Sequence, residues 1–212
     1  MSRRIGIFGT SGMAREAGDI AWALNLEPVF IARDEAERRE CGFSHQVILE
    51  QDVLDYTAMP FVIGIGENSI RRAIAERFKE SLRFTNLVHP SATFGFSQRE
   101  AIDRGKGIVV AAGTRFTSGI SVGDFCIFNQ NTTIAHDCVV ESYVHVAPGA
   151  NVSGNVHLKS GCWVGAGAVV NQGSYAKKRV VGENATIGSG AVVIRDCEAN
   201  AVYAGVPAKR IK

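Results

Sequence analysis

From Val110 to Val170 an aliphatic or aromatic residue returns at every sixth position: Val110, Phe116, Val122, Phe128, Ile134, Val140, Val146, Val152, Leu158, Val164 and Val170. Four residues behind each runs a second column, mostly of small side chains: Thr114, Ile120, Cys126, Thr132, Cys138, Val144, Ala150, Val156, Cys162, Ala168 and Ser174. A period of six is neither the 3.6 of a helix nor the alternation of a long strand. It fits a short strand and a corner, repeated, with two inward positions per step. Three steps, about 18 residues, close a triangular coil, so inward side chains stack from one coil to the next. The predicted core is a prism of aliphatic columns, each fully buried Val, Leu or Ile contributing roughly 1.5–3 kcal/mol. After Val170 the columns return one residue early as Val181, Ile187 and Val193. Residues 171–179 therefore read as a protruding loop, whose Lys177, Lys178 and Arg179 either meet an anionic ligand or form a solvated charged run. Four of the five cysteines, Cys126, Cys138, Cys162 and Cys197, fall in the small column and read as compact apolar filler; Cys41 lies outside it.

Composition narrows the partners. A chain of 212 residues holds one large domain or two small ones. With 46% hydrophobic and 21% charged residues it is globular. The balance of 23 Lys+Arg against 21 Asp+Glu gives a net charge of +2, too small for nucleic acid to be the expected partner. No apolar run reaches the roughly 18 residues of a membrane span. The opening Met-Ser-Arg-Arg lacks a signal peptide's apolar stretch. A cytoplasmic protein without membrane partners is expected, and in the cytosol disulfides are disfavoured.

Residues 1–85 follow a different pattern from residues 86–212. Residues 4–8 form a short strand, followed by Gly9-Thr10-Ser11-Gly12 and an amphipathic helix to about residue 25. Residues 28–32 and 60–65 read as further strands, and residues 68–80 as a helix with Asn68 as its N-cap. The alternation predicts a small, Rossmann-like parallel βαβ sheet. A glycine turn entering a helix points backbone N–H groups at an anion such as a phosphate. Asp34, near the end of the second strand, is placed to bond a ribose. Ser11 and Ala14 stand where the second and third glycines of G-x-G-x-x-G would be, which argues against a dinucleotide. Gly64-Ile65-Gly66-Glu67-Asn68 ends the third strand at the same sheet edge, where ligands of open α/β sheets collect. Tight turns required by the fold alone would look the same. His89, before Pro90 in the junction, reads as structural.

On the prism, chemistry must project from corners or outer faces. His136 and Asp137 follow inward Ile134 by two and three residues and so sit at a corner; His145 precedes inward Val146 and points outward. A histidine accepts a proton near neutral pH, and an adjacent carboxylate fixes its tautomer; an inert surface pair has the same spacing. Metal ligands stacked on one side would repeat at multiples of about 18. His136, His145 and His157 are 9 and 12 residues apart, so no metal is expected. A corner and a face, very roughly 15 Å, separate His136 from His145. If both serve one site, the second comes from a neighbouring subunit in a ring of three prisms.

The hexad columns, the ending Tyr203-Ala204-Gly205-Val206-Pro207-Ala208-Lys209, and the segments His136-Asp137-Cys138 and His145-Val146-Ala147-Pro148-Gly149-Ala150 resemble the bacterial hexapeptide acyltransferases that acetylate nucleotide-linked amino sugars. UDP-4-amino-sugar N-acetyltransferases of the bacillosamine type are the nearest in pattern, with sialic acid O-acetyltransferase-like proteins beside them. The resemblance implies a left-handed parallel β-helix, a homotrimer, and acetyl-CoA lying between adjacent prisms. It implies His136 as general base with Asp137 as its partner, and His145 against the thioester end. It also implies backbone contacts to the pantetheine at Gly154, Ala166 and Ser189, and Ser11, Gly12, Asp34, Gly66 and Asn68 at the nucleotide-sugar end. Three positions depart from the pattern: Met13 stands where many relatives have histidine, Arg33 where bacillosamine-type enzymes tend to have an acid, and Asp137 where some have glutamate. O-acetylation of a sugar hydroxyl, or a nucleotide-binding β-helix without turnover, are the alternatives.

Overall fold

In the computed structural model, residues 3–174 and 176–212 are described. The chain opens with β1 (Arg3–Phe8), α1 (Gly12–Ala23), β2 (Leu26–Ala32), α2 (Glu35–Glu40), β3 (Val47–Leu49), β4 (Phe61–Ile63) and α3 (Asn68–Phe78). The four strands are parallel and lie side by side in the order β3-β2-β1-β4. Ile5, Ile7 and Phe8 of β1 are all buried, as a parallel sheet covered on both faces requires. Strand order reverses between β1 and β4, so the turns after them, residues 9–12 and 64–67, meet at one edge of the sheet. The sequence reading missed α2 and β3. The first is five charged residues and one alanine without an apolar stripe, and the second is only three residues long.

From Leu87 the chain winds a parallel β-helix of two- and three-residue strands. On the first face Leu87–Val88, Val109–Val110, Ile127–Phe128, His145–Val146, Trp163–Val164, Thr186–Ile187 and Val202–Ala204 pair in succession. The second face carries Thr93–Phe94, Arg115–Phe116, Thr133–Ile134, Asn151–Val152, Val169–Val170 and Val192–Val193. The third carries Ser121–Val122, Val139–Val140, Val156–Leu158 and Arg179–Val181. Partners follow the predicted columns: Val110, Phe128, Val146 and Val164 register on the first face, and Ile134 on Val152 on the second. One continuous core runs up the prism from Val88 to Tyr203 and includes the four column cysteines. Burial pushes the Cys126 thiol up to about 12 and Cys162 higher still, so these are unreactive packing groups.

Two features interrupt the cadence. A short helix, α4 (Gln98–Asp103), stands where the first coil would carry a third-face strand. Its buried Gln98 imitates a ladder, donating to the Ile120 carbonyl at 2.7 Å and accepting from the Ile120 amide at 3.0 Å. Residues 171–178 leave the coil before Arg179–Val181 rejoins it beside Val156–Leu158; within them, Tyr175 lies outside the described residues. The cations of this loop are engaged internally, Lys177 and Arg179 with Asp196, and Lys178 with the Asp137 carbonyl and Asn155 Oδ1.

The α/β portion sits on the outside of the first face. Leu87, Val109, Ala111 and Ile127 pack into one cluster with Ile5, Ile7, Ala14, Ala17 and Val62. Phe125 and Tyr143 pack into a second with Phe8, Ile63, Ile74 and Phe78. The outward side chains of Val109, Ile127 and His145 on this face therefore point into the other half of the molecule and away from solvent. Among the described residues, no helix is long and apolar enough to cross a membrane.

Candidate active site

His136 lies at the edge between the second and third faces, just after Thr133–Ile134. Asp137 adopts a left-handed φ of 60°, which Asp tolerates better than most residues, and its amide donates to the Ser118 carbonyl of the preceding coil at 3.0 Å. That closed corner turns His136 outward. Its Nδ1 is 2.8 Å from Asp137 Oδ2, with 63% and 64% of the two side chains exposed. A carboxylate only accepts, so Nδ1 carries the hydrogen and Nε2 presents a lone pair to solvent. Gly154, one coil on at the same edge, lies beneath the ring: a Cβ there would come within 2.5 Å of His136 Cε1 and Nε2.

His145 points outward from the first face as the spacing predicts, yet it is only 4% exposed because the 64–67 turn covers it. Nδ1 is 2.9 Å from the Gly66 carbonyl, Nε2 is 2.5 Å from Asn129 Oδ1, and the ring packs on Trp163 at 4.0 Å between centroids. Burial above all, and the Arg71 cation, hold its pKa down to about 4 against the opposing pull of the Gly66 bond. The ring is neutral near pH 7. His145, expected at the thioester end of the donor, is buried within one chain, and its Nε2 meets Asn129 at the prism edge.

Arg71, which sequence reasoning passed over, is fully buried and has no carboxylate partner among the described residues. It donates to the carbonyls of Phe125, Ile65, Gly66 and Tyr143 and to Asn68 Oδ1, all within 2.7–2.9 Å. Burial draws its pKa down to about 10, still charged at neutral pH. The guanidinium rivets α3 and the 64–67 turn to the prism. Asn68 does the same, donating to the Gly161 and Cys162 carbonyls at 2.8 and 3.2 Å. The predicted N-cap is corrected: Glu67 caps α3, accepting from the Ser69 amide, because Asn68 is drawn to the prism as the first helical residue.

At the sheet edge Ser11 lines a cleft of about 430 Å³ with Gly9, Thr10, Arg33, Glu37 and Ile65; Gly12, exposed, begins α1 beside it. Asp34, expected at a ribose, is the N-cap of α2: its carboxylate accepts from the Glu37 amide and from Arg33 Nε, both at 2.9 Å. Glu37, one turn on, bonds Thr10 Oγ1 and the Arg33 amide and stands in the cleft instead. Gly66 and Asn68 belong to the junction of the two halves; Asn68 also lines a groove of about 800 Å³ with Arg72, Trp163 and Thr186. Ala166 and Ser189 are exposed at the edge between the first and second faces, the edge that also holds Asn129. One chain therefore brings His136 to Gly154, and sets His145, Ala166 and Ser189 apart from them across the second face. Among the described residues, no group of three or more His, Cys, Asp or Glu is arranged to hold a metal ion.

The fold and the site define a hexapeptide-repeat prism joined to a Rossmann-like domain, with an exposed His–Asp pair on a prism edge. Residues 4–78 match the family described as PglD N-terminal domain. The chain is 25% identical over 227 residues to the GDP-perosamine N-acetyltransferase of Escherichia coli O157:H7, covering 98% of this chain and 96% of that protein. The acetyltransferase domain of PglB from Neisseria gonorrhoeae FA1090, solved in complex with acetyl coenzyme A, superposes with a TM-score of 0.86 at 28% identity over 100% of both chains. WeeI from Acinetobacter baumannii AYE gives 0.85 at 25% identity, covering 99% of this chain and 100% of that one. The similarity to nucleotide-sugar N-acetyltransferases thus runs the length of the molecule and joins the N-terminal half to the prism.

Proposed function

We propose that the protein transfers an acetyl group from acetyl-CoA to the amino group of a nucleotide-linked amino sugar. The observation that carries this reading is the His136–Asp137 pair: exposed at a prism edge, seated on a glycine, and fixed in the tautomer that leaves Nε2 free, in a chain similar end to end to such acetyltransferases. An ammonium has no lone pair with which to attack a thioester. His136 Nε2 takes a proton from the sugar amine, the C–N bond forms at the acetyl carbonyl, the C–S bond breaks, and the proton leaves with the CoA thiol. The column cysteines are buried and their thiols raised, which favours direct transfer over an acyl-enzyme.

The same reading takes the β-helix as left-handed and the working unit as a homotrimer in the cytoplasm. Its support is the division of the site residues: the His136–Gly154 edge and the Asn129–Ala166–Ser189 edge flank the second face of one chain, and docking adjacent prisms brings unlike edges together. Acetyl-CoA is assigned to the crevice between them, and the nucleotide to the cleft at Ser11 and Glu37.

The test is turnover of acetyl-CoA against a panel of UDP-, GDP- and dTDP-linked amino and hydroxy sugars. General base catalysis supplies about 10²–10⁴-fold, so His136→Ala should lower kcat by about that factor with acetyl-CoA affinity nearly unchanged. Undiminished kcat in His136→Ala would remove the base assignment, and acetylation of hydroxy sugars alone would move the reading to O-transfer.

A further inference from the structure

Where the 171–178 loop rejoins the coil, it captures two successive corner carbonyls on the edge that carries His136. The Arg179 amide donates to the Asn155 carbonyl at 3.0 Å, and Lys178 Nζ reaches one coil further back to the Asp137 carbonyl. Asp137 and Asn155 are equivalent residues of neighbouring coils, both with a left-handed φ, 60° and 58°. Lys178 bridges them, donating also to Asn155 Oδ1 at 2.9 Å. Lys177 and Arg179 share the Asp196 carboxylate, whereas Lys178 has no carboxylate partner among the described residues. A half-buried ammonium that meets only neutral acceptors gains less than one facing a charge, so its placement calls for another reason.

The His136–Asp137 pair supplies that reason. With 63% and 64% of the two side chains exposed, packing does not hold them, and a pair so exposed has little energy of its own to fix a geometry. The backbone of the corner has to do so. Its Asp137 amide is tied to the Ser118 carbonyl of the preceding coil at 3.0 Å, and its His136 carbonyl accepts from the Asn155 amide of the next at 2.8 Å. The Asp137 carbonyl is taken by Lys178. We infer that Lys178 is a positioning residue for His136: by clamping the Asp137 and Asn155 corners together it holds the carboxylate against Nδ1 and keeps Nε2 as the lone pair of the site. The effect on rate rests on the acetyl-transfer reading above, whereas the effect on the imidazole does not. The inserted loop thereby becomes part of the site, although none of its side chains needs to touch substrate.

Lys178→Met keeps most of the stem and removes every donor; Lys178→Arg keeps the charge and donors enough for both acceptors. Both should melt within a few degrees of the wild type. Lys178→Met should lower kcat about tenfold with KM for acetyl-CoA and for the sugar nucleotide unchanged, and Lys178→Arg should recover most of the loss. Nitrogen-15 NMR reads the clamp without activity. At about pH 8.5, where an imidazole is ordinarily neutral, the His136 hydrogen should sit on Nδ1 in the wild type and be shared between both nitrogens in Lys178→Met. An unaltered kcat in Lys178→Met overturns the assignment, and so does a hydrogen still held on Nδ1. A wild type that acetylates no amino sugar, with the tautomer nonetheless released in Lys178→Met, removes the acetyl-transfer reading and leaves the clamp standing.

Discussion

At the scale of single residues, Gly154 limits what His136 can be. Its backbone does not need glycine's conformational freedom, so the reason for glycine is the imidazole above it. Gly154→Ala should leave the melting temperature within a few degrees and displace the ring by the width of a methyl group. Misplacement of a reacting group by about 1 Å costs on the order of 10²-fold, so kcat should fall about ten- to hundredfold. A crystal structure with the ring unmoved and kcat at the wild-type level would remove Gly154 from the site. The histidine and its carboxylate partner were legible from adjacency and corner position. The role of Gly154 as their seat was not, because stacking between coils is a three-dimensional relation. The cap that Asp34 makes was hidden for a related reason: an acid at the end of a second strand has the same sequence address whether or not it caps the next helix.

At the scale of elements, α3 and the 64–67 turn act as a lid on the first face. Arg71 repeats with Ile74, Ala75 and Phe78 on the buried stripe of α3, so the helical period marked it as inward although its charge suggested otherwise. Its carbonyl partners come from three separated stretches of chain, which no local pattern shows. His145 under the same turn makes stability depend on pH. Its folded pKa of about 4 lies below the ordinary 6.5, so the unfolded chain binds more protons between those values. The stabilisation is therefore complete above about pH 6.5 and is lost as pH falls towards 4, on the order of 3 kcal/mol in all. Urea titrations at pH 7 and pH 5 should show the wild type losing more stability than His145→Asn; parallel losses would mean that the imidazole is not held neutral by burial.

At the scale of the whole molecule, the proposed site spans two chains, and a mixing experiment can detect this. His136→Ala and Ala166→Asp each damage a different edge. If subunits assort at random when the two variants are coexpressed, about a quarter of the sites pair an intact His136 with an intact Ala166 across the boundary. Coexpression should recover activity towards that fraction, well above either variant alone at low substrate. If every site were built from one chain, no recovery would occur.

The sequence alone determined the prism, because an inward column recurring at a fixed step leaves a chain of short strands one way to bury it, and the strands pair in the predicted register. It also determined the parallel sheet at the N-terminus and the corner that carries the His–Asp pair. Tertiary structure decided which outward positions meet solvent. The first face is covered by the α/β half, so the same outward geometry that exposes a corner residue buries His145, and a charged helix residue such as Arg71 becomes a rivet. Periodicity fixes the direction in which a side chain leaves its own element, whereas what it meets there depends on residues tens of positions away in the chain.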